Sequence, residues 1–457
     1  MKVLHVTYSF APDPMGGTEV YVGEICRHLE PRGVRNVIAA PGHQSAVYEI
    51  DSLRVQRFLF QSHPDELGAL YGDGDPYAAD AFDAVLAAEQ PDLVHQHALS
   101  PACSGELVAR ARRLGLPVVF TYHTPTVTCQ RGTLLRWGTD VCDGRLAHRT
   151  CTACTLHGLG LNRTVSRMLA STPEPIGEAI AHAGLSGGGW TALRLSTLMR
   201  RRHAEIARVL STVDRIVVLA EWVRGVLRTN GIPDSRMVSA PHGVERAALP
   251  DRSAFDSKYI RLAHLGRLDV TKGTRLLITA VRALPDAPIT LDIFGIAQSD
   301  ADRHELDRLH TLIGNDSRIR LRPPVDHASV TAQLARFDAV VVPSQLLETG
   351  PLVVLEAFAA GVPVIGSALG GIAEKVTHDI DGWLVSPHDS GDAWRGVLAA
   401  CVRDRQLLPR LREGILPPRS LDDAAAEMHE LYRTVLTERR AATAADRDRT
   451  AVRAGRT

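Results

Sequence analysis

Residues 2–29, KVLHVTYSFAPDPMGGTEVYVGEICRHL, decide the fold. They begin with a short apolar run that contains β-branched residues, continue through the turn-rich segment PDPMGGTE, and end in the amphipathic pattern VYVGEICRHL. This order predicts a strand, a glycine loop and a helix. Strands that alternate with helices form a parallel sheet covered on both faces, so the segment predicts an α/β fold.

The same alternation continues along the chain in two series. The first contains the apolar runs NVIAAP, LRVQRFLF, PDLVHQH and PVVFTYH and the helical pattern AADAFDAVLAAE. The second begins near Tyr259 with YIRLAHLGR, TRLLITAVRAL and ITLDIFG and ends with PVIGS and GWLVSP. Two doubly wound halves account for this most simply. We predict an N-terminal domain over residues 1–245 and a C-terminal domain over 246–420, joined near residues 241–257.

The segments outside these series need separate interpretations. Residues 124–189 show no regular pattern, so they are either a functional insertion or contain elements that the pattern does not reveal. Residues 421–440 are predicted to form a helix that packs back on the N-terminal domain. Residues 441–457 are low in hydrophobicity and rich in charge, which predicts a disordered tail.

The composition excludes several classes of protein. The 457 residues carry 52 basic and 52 acidic groups, a formal charge of zero, which argues against a globally basic nucleic-acid-binding protein. No run approaches the roughly 20 apolar residues of a membrane span, and residues 1–10 are too short and too polar for a signal sequence. We therefore expect a cytoplasmic protein. Its charge is uneven, because residues 101–250 carry 19 basic and 10 acidic groups.

Three loops that follow strands are candidate ligand sites, because open α/β sheets bind ligands beyond the carboxyl ends of their strands. In the first loop, Gly16 and Gly17 let the backbone approach a ligand and present amides at a helix N-terminus, where a phosphate fits. A tight turn without a ligand is an equally good interpretation. No GK[ST] sequence follows, and the chain has no G-x-G-x-x-G fingerprint, so a Walker A loop and a dinucleotide site are excluded.

The second loop lies in HLGRLDVTKG and presents Arg267 and Lys272 after a strand. Two cations at this position can clamp a diphosphate and neutralise charge that develops on a leaving group. The chain has 4 lysines against 48 arginines, so a lysine here favours a point charge where a guanidinium does not fit. The alternative is a solvated cation at the start of a helix.

The third loop lies in VVVPSQLLETGPLVVLEAFAAG, where Glu348 precedes Glu356 by eight residues. Pro351 suits the first turn of a helix. A carboxylate in the apolar run LVVLEAFAA costs free energy unless it is paired or binds a ligand, which makes Glu356 a site candidate. A satisfied buried carboxylate is the alternative.

Together, the E-x7-E pair Glu348 and Glu356, the upstream cations Arg267 and Lys272, and the N-terminal GGTE loop resemble the retaining glycosyltransferases of family 4, which have the GT-B fold. The resemblance covers nearly the whole chain, and its C-terminal motifs occur in the family's order and spacing. It implies two facing Rossmann-like domains with a cleft between them. It also implies a nucleotide diphosphate sugar held mainly by the C-terminal domain, with no metal required for catalysis.

The resemblance further implies residue roles. Arg267 and Lys272 bind the diphosphate and stabilise it as the leaving group, Glu348 lies near the donor sugar, and Glu356 hydrogen-bonds the ribose. The anomeric configuration is retained by same-face attack, with the leaving phosphate helping to deprotonate the acceptor. In this scheme the cations supply most of the catalysis, because the diphosphate gains negative charge as its bond to the sugar breaks.

The resemblance also assigns roles to the loops around the cleft. The backbone of Gly350, Pro351 and Leu352 would contact phosphate or sugar hydroxyls. Gly16 and Gly17 would close on the diphosphate from the opposite domain. His123, at the end of PVVFTYH, takes the place of a family histidine near the reacting sugar, and His97 is a weaker candidate. A hydrogen-bonded structural histidine is the alternative for both.

Four of the seven cysteines, Cys129, Cys142, Cys151 and Cys154, have the spacing C-x12-C-x8-C-x2-C. In a cytoplasmic chain this spacing favours a tetrahedral structural zinc, and an iron–sulfur cluster has the same ligand set. Redox disulfides or plain buried thiols are the alternatives. Because the cluster follows His123, we expect it beside the acceptor side of the cleft.

The local excess of arginine and the amphipathic pattern over residues 190–210 are compatible with an anionic or lipid-linked acceptor received at a membrane surface. A solvated cationic face over an ordinary core helix is the other interpretation. The apolar face consists of Leu195, Leu198, Met199, Ile206, Val209 and Leu210.

Transfer of a sugar from a nucleotide diphosphate sugar to an unknown acceptor is the leading hypothesis. A nucleotide-sugar epimerase of GT-B fold is the alternative within the same architecture, although it does not need the cation pair and the E-x7-E pair together. A metal- or thiol-centred regulatory protein with a vestigial sugar site is the alternative from another class.

Overall fold

The N-terminal domain is built on one large sheet. The computed structural model of the protein describes residues 1–61, 66–245 and 258–454. The strands of this domain are β1 (Lys2–Val6), β2 (Arg35–Gly42), β3 (Ala46–Ile50), β4 (Leu53–Leu59), β5 (Leu93–Gln96), β6 (Val118–Thr121), β7 (Leu135–Arg136), β8 (Asp140–Val141), β9 (Arg215–Val218) and β10 (Met237–Ser239). Eight of them form a sheet in the order β10-β9-β6-β5-β1-β2-β4-β3, in which only β3 is antiparallel to its neighbour. Strands β7 and β8 form a separate hairpin.

Helices cover both faces of this sheet. They are α1 (Gly17–Leu29), α2 (Glu66–Gly68), α3 (Pro76–Glu89), α4 (Gly105–Arg113), α5 (His148–Gly158), α6 (Arg163–Leu169), α7 (Glu174–His182), α8 (Gly188–Thr212) and α9 (Glu221–Thr229). Successive strand residues point to opposite faces, so Leu4 packs in the cluster with Phe82 of α3, while Val3 packs in the cluster with Ile25 of α1. Both faces of the sheet are therefore core, as its apolar strands require.

The C-terminal domain repeats this arrangement with a sheet that is entirely parallel. Its strands are β11 (Ile260–Arg267), β12 (Ile289–Ile296), β13 (Ile319–Arg322), β14 (Ala339–Val342), β15 (Val364–Ser367) and β16 (Gly382–Val385), in the order β13-β12-β11-β14-β15-β16. Its helices are α10 (Thr274–Arg282), α11 (Asp300–Ile313), α12 (Val330–Leu334), α13 (Leu352–Ala359), α14 (Gly370–Lys375), α15 (Gly391–Arg403), α16 (Leu407–Glu413) and α17 (Leu421–Ala454). Leu262 and Ala263 of β11 belong to separate apolar clusters on the two faces. Most of the segment expected to join the domains, residues 246–257, lies outside the described residues.

The last helix returns to the N-terminal domain. Ala425, Met428 and Tyr432 of α17 are buried in the same apolar cluster as α1, and the Tyr432 hydroxyl lies 2.6 Å from Nδ1 of His95. The predicted disordered tail differs from the structure, because α17 continues without a break to Ala454; residues 455–457 lie outside the described part of the chain. The tail is poor in large apolar residues but rich in alanine and arginine. Both residues have a high intrinsic helix propensity, which favours a helix even where few side chains are buried.

Residues 124–189 are more regular than the sequence pattern indicates. They contain the β7–β8 hairpin and the three short helices α5, α6 and α7. Local signals begin two of these helices: the Asn162 side chain accepts a hydrogen bond from the Val165 amide at 2.9 Å, and Pro173 precedes α7. Helices of 7 to 11 residues show too few turns for a clear period, which explains why the pattern missed them.

Helix α8 buries the predicted apolar face. All six residues of that face are at most 5% exposed, whereas Trp190 at the start of the helix is 46% exposed. The helix packs against α4, α5 and α7 and so ties the insertion to the domain. Within the described ranges, no helix is both long and apolar enough to cross a membrane.

Candidate active site

A cleft of about 1000 Å³ lies between the carboxyl ends of the two sheets. Loops after β1 and β6 line it from the N-terminal domain, and loops after β11 and β14 line it from the C-terminal domain. All ten residues predicted to act in catalysis or donor binding are among its lining residues: Gly16, Gly17, His123, Arg267, Lys272, Glu348, Gly350, Pro351, Leu352 and Glu356. The fold thus brings together four loops that are far apart in the chain.

Lys272 and Glu348 form an ion pair at the base of the cleft. Lys272 ends the short 3-10 turn Val270–Lys272, and its Nζ lies 2.5 Å from Oε1 of Glu348. The Ser344 hydroxyl donates to the same oxygen at 2.8 Å. Arg267 is nearly half exposed, and it lies 3.8 Å from the carboxylate of Asp269. One cation is therefore held in place by protein groups, while the other is accessible from the cleft.

Gly273 positions this cation loop. Its φ is +71°, and a Cβ atom would lie 1.9 Å from the carbonyl oxygen of Pro343, which belongs to the backbone and cannot move aside. We expect Gly273→Ala to lower the free energy of unfolding by more than about 2 kcal/mol, because strain and overlap add. Thermal unfolding checks this. Gly396→Ala, at a helical position with open space around the added methyl group, is the control and should be neutral or stabilising.

The Glu348 loop is fastened to the N-terminal domain. The Glu348 carbonyl accepts hydrogen bonds from Nε1 of Trp222 at 2.9 Å and from the Gly371 amide at 2.7 Å. The Leu347 amide donates to the Thr133 carbonyl at 3.0 Å, and the Thr349 hydroxyl donates to the His123 carbonyl. These bonds hold the catalytic candidate at a defined place between the domains.

A second contact across the domains was not predicted from the sequence. The Glu374 carboxylate accepts from the amides of Glu221 and Trp222 at 2.7 Å each, so a residue of one domain caps helix α9 of the other. A carboxylate at a helix N-terminus satisfies free amides and interacts favourably with the helix dipole. Trp222 and Glu374 therefore set the separation of the two domains beside the cleft.

The glycine loop lies at the opposite wall of the cleft. Gly16 precedes α1, and its amide donates to the Glu19 carboxylate at 3.0 Å. Burial raises the pKa of Glu19. A Cβ atom on Gly17 would lie 3.9 Å from Leu352 of the C-terminal domain, so the loop approaches the other wall closely. The Gly16 amide is therefore already bonded to Glu19 in this structure, and a phosphate would have to displace that carboxylate to bind it.

Glu356 is a buried carboxyl group at the edge of the cleft. It lies on α13 and is 5% exposed, and burial raises its pKa to about 7. His327 is the ionisable group beside it, with Nδ1 3.6 Å from Oε1 of Glu356 and Nε2 3.8 Å from Glu24 of the N-terminal domain. A carboxyl group with a pKa near neutral pH can accept a hydrogen bond from a hydroxyl when it is ionised and donate one when it is protonated.

The raised pKa predicts a specific pH dependence of stability. A carboxyl group whose pKa rises on folding binds more protons in the folded state, so the free energy of unfolding falls as the pH increases from about 4.5 to about 7. Glutamine does not ionise, so in Glu356→Gln we expect this decrease in the free energy of unfolding to be smaller by up to about 3 kcal/mol. The unliganded variant should therefore be more stable than the wild type above pH 7. Thermal unfolding from pH 5 to pH 8 measures it. Equal slopes for both proteins would contradict the assignment.

Two arginines of the N-terminal domain line the cleft and were not singled out from the sequence. They are Arg131 and Arg202. The Arg202 guanidinium donates to the Thr126 carbonyl, and its Nε is buried without a hydrogen-bond partner within the described chain. Burial lowers the pKa of Arg202, and no described carboxylate lies at ion-pair distance from it. A partly buried cation without a described counter-ion is an available site for an anion.

The four clustered cysteines lie beside the cleft rather than in its lining. They are free thiols, and burial together with the charges of Cys142, Cys129 and Cys154 raises the pKa of Cys151 to about 12. Among the described residues, no three of these sulfurs lie within 4.8 Å of one another. Ligands of a tetrahedral zinc lie about 3.8 Å apart, so a metal would have to draw the thiols closer.

The zinc site stays a prediction, and metal analysis tests it. We expect about one zinc per chain and a lower melting temperature after chelation, because a structural metal stabilises only the folded state. Cys151→Ser should release the metal, whereas Cys401→Ser, a buried cysteine outside the cluster, should retain it. A metal-free, active protein with four titratable thiols would refute the prediction.

Comparison with known proteins identifies the family. The profile of the family described as Glycosyltransferase Family 4 matches residues 15–247, about half of the chain, and the profile described as Glycosyl transferases group 1 matches residues 245–414. The chain belongs to glycosyltransferase family 4. It is therefore a glycosyltransferase, and neither the epimerase nor the regulatory protein is favoured.

Curated relatives of this glycosyltransferase match it over most of its length. A D-inositol 3-phosphate glycosyltransferase from Jonesia denitrificans is 35% identical over 414 residues, covering 87% of this chain and 86% of the relative. Another of the same name from Xylanimonas cellulosilytica is 28% identical over 432 residues, covering 91% of each chain. The similarity thus spans both domains and the cleft between them.

Solved structures confirm the predicted GT-B fold of this glycosyltransferase. A sucrose-phosphate synthase from Thermosynechococcus elongatus superposes with a TM-score of 0.65 at 18% identity, covering 96% of this chain and 99% of that chain. The Anabaena protein HepE in complex with UDP and glucose superposes with a TM-score of 0.62 at 15% identity, covering 95% of this chain and 100% of that chain. At these identities the agreement concerns the fold alone.

Proposed function

We propose that this glycosyltransferase moves a sugar from a nucleotide diphosphate sugar to an acceptor that carries a phosphate or a similar anionic group, with retention of anomeric configuration. The observation that carries the proposal is the cleft, in which Arg267 and Lys272 of one domain face His123 and the glycine loop of the other. The nucleotide donor is supported by the fold neighbour HepE, whose structure contains UDP and glucose.

The donor half of the proposal rests on the C-terminal domain. Arg267 is accessible to a diphosphate. Lys272, in the turn after β11, would neutralise the negative charge that develops on the leaving diphosphate. Glu356 would accept or donate a hydrogen bond at the ribose. The Glu348 loop would hold the sugar, because it is fastened between the domains.

A double displacement at Glu348 and a front-face attack by the acceptor both retain the anomeric configuration, and the state of Glu348 favours the front-face route. A double displacement needs a free carboxylate as the nucleophile, but the Glu348 carboxylate is paired with Lys272 and accepts from Ser344. Attack by the acceptor on the face that the phosphate leaves needs no such nucleophile. The anomeric configuration of the product, measured by NMR, distinguishes retention from inversion.

The acceptor half rests on the N-terminal domain. Arg202 is a partly buried cation without a carboxylate partner within the described residues, and Arg131 lines the same cleft. Relatives named D-inositol 3-phosphate glycosyltransferase support an acceptor of phosphate chemistry. A phosphate on the acceptor would satisfy the free guanidinium donors and hold the attacking hydroxyl over the donor sugar.

Donor binding tests the function directly. Pure protein is incubated with a panel of nucleotide sugars, and thermal stabilisation and slow donor hydrolysis are measured. A donor at a hundred times its Kd should add about 2.7 kcal/mol to the free energy of unfolding. If no nucleotide sugar stabilises the protein or is hydrolysed, the proposed donor class is wrong.

A further inference from the structure

Three histidine rings and one amide form a continuous hydrogen-bonded row behind the cleft. Asn36 lies on β2, His5 on β1, His97 directly after β5 and His123 shortly after β6, and these four strands are neighbours in the sheet. Oδ1 of Asn36 lies 3.1 Å from Nε2 of His5, Nδ1 of His5 lies 3.1 Å from Nε2 of His97, and Nδ1 of His97 lies 2.9 Å from Nε2 of His123. The row ends at His123, which lines the cleft.

The amide of Asn36 determines where the first proton sits. Its nitrogen donates to the carbonyls of Cys26 at 2.9 Å and Val34 at 3.3 Å, and carbonyls can only accept. The oxygen must therefore face His5, so Nε2 of His5 carries the proton and donates. A neutral imidazole has one proton, so Nδ1 of His5 is left as an acceptor.

The same logic passes along the row. Because Nδ1 of His5 accepts, Nε2 of His97 must donate to it, which leaves Nδ1 of His97 as an acceptor. Nε2 of His123 must then donate to His97. The single proton of His123 is thereby held on Nε2, and its Nδ1 is left as an acceptor that faces no hydrogen-bond donor among the described residues.

Burial keeps the row neutral, as this logic requires. It lowers the pKa of His5 to about 4, the pKa of His123 to about 3, and the pKa of His97 well below its usual value. All three rings are less than 10% exposed. At neutral pH the protons are therefore placed by hydrogen bonding alone.

Neighbouring groups do not interrupt the row. The ring of His95 lies tilted against that of His97 with centroids 3.8 Å apart, but its own nitrogens bind Tyr432 and Thr121. His242 faces His123 from 6.0 Å and its Nδ1 lies 3.1 Å from the Gly350 carbonyl. His5, His95 and His97 are close enough together to hold a metal ion, but all six of their ring nitrogens already have partners.

We propose that Asn36, His5 and His97 are positioning residues that hold His123 in its Nε2–H tautomer and present Nδ1 as a hydrogen-bond acceptor. Only a group that donates a hydrogen bond satisfies it. In a glycosyltransferase cleft that group is a hydroxyl of the bound sugar, a step that rests on the proposed function. The tautomer itself does not depend on which ligand binds.

Nitrogen-15 NMR of the protein labelled at histidine tests the proposal, because protonated and unprotonated ring nitrogens have separate chemical shifts. The wild-type protein should show His123 as the Nε2–H tautomer. In Asn36→Leu, which removes the terminal acceptor, we expect both tautomers of His123. His97→Gln retains a donor and an acceptor and should preserve the Nε2–H form, whereas His97→Leu should not.

Three outcomes decide the matter. An Nδ1–H tautomer in the wild type would overturn the proposal, as would an unchanged His123 in both Asn36→Leu and His97→Leu. If Asn36→Leu does not fold, the His97 pair gives the same comparison.

Addition of UDP-glucose should shift the Nδ1 resonance of His123, and addition of UDP should not. The Nε2–H tautomer without that shift would support the row of positioning residues and count against the proposed sugar donor.

The row should also affect catalysis beyond stability. Loss of one oriented hydrogen bond to the sugar corresponds to about a tenfold decrease in the rate of transfer. Asn36→Leu and His97→Leu should show this decrease in kcat, and His97→Gln should recover most of it. Melting temperatures of all three variants separate the effect from unfolding, and equal kcat for His97→Leu and His97→Gln would contradict a positioning role.

Discussion

Replacing Lys272 with alanine should lower the rate of sugar transfer by about 100- to 1000-fold while the protein remains folded. The lysine ends a short turn at the carboxyl end of β11, and its Nζ is held 2.5 Å from Glu348. This places a point charge where the diphosphate would gain negative charge as the bond to the sugar breaks. The loss should appear mainly in kcat, because the charge is greatest in the transition state.

Two further variants make the result specific. Lys258→Ala removes a lysine that is exposed outside the cleft and should leave transfer unchanged. Lys272→Arg keeps the charge but spreads it over a planar group that does not fit the space of an ammonium, so we expect little recovery. Turnover by Lys272→Ala near that of the wild type, with nucleotide sugar as donor, would remove Lys272 from the catalytic assignment.

The position of the cation pair in the cleft was predictable because its signal is local. Arg267 and Lys272 stand at the end of an apolar run that is unmistakably a strand, and a strand end in a parallel sheet is where ligands bind. The place of Glu356 in the cleft lining was predictable for a similar reason, since a carboxylate inside an apolar helix needs an explanation. In both cases the neighbouring residues alone contained the information.

Contacts between distant segments could not be predicted in this way. Trp222 binds the carbonyl of a residue 126 positions away, and Glu374 caps a helix that begins 153 positions earlier. Asn36 acts on His123 through two other strands. No single-sequence pattern contains these pairings, because they depend on the order of the strands and on how the two domains meet.

The cysteine cluster is a third case. Its spacing predicts that the four thiols lie near one another, but spacing alone does not determine whether they are close enough to bind one metal ion. The sequence places four thiols within 26 residues, and the structure gathers them around Cys151 without bringing three within 4.8 Å. The hairpin that carries Cys142 packs with Leu347 and Leu369 of the C-terminal domain. Its position beside Glu348 gives the insertion a structural role at the cleft whether or not a metal binds.

Arg202 gives the second large expected effect. Arg202→Met should lower kcat/KM for a phosphorylated acceptor by about 100-fold, or about 3 kcal/mol, because a hydrogen-bonded charge pair is lost from a partly buried position. Hydrolysis of the donor in the absence of acceptor should remain within about twofold of the wild type. The N-terminal position of Arg202 predicts this separation, since in the proposed function the donor phosphates bind the C-terminal cations.

A matched control lies two residues away. Arg200 is exposed and forms an ion pair with Glu174, so Arg200→Met removes the same charge from the same helix without touching the cleft. If Arg202 binds the acceptor phosphate, only Arg202→Met should lose the preference for phosphorylated over unphosphorylated acceptors. Loss in both variants would indicate a general effect of surface charge, and loss in neither would place the acceptor elsewhere. Because Arg202 has no described carboxylate partner, its replacement leaves no carboxylate unpaired among the described residues, although it removes the hydrogen bond to the Thr126 carbonyl. The melting temperature separates a binding defect from a folding defect.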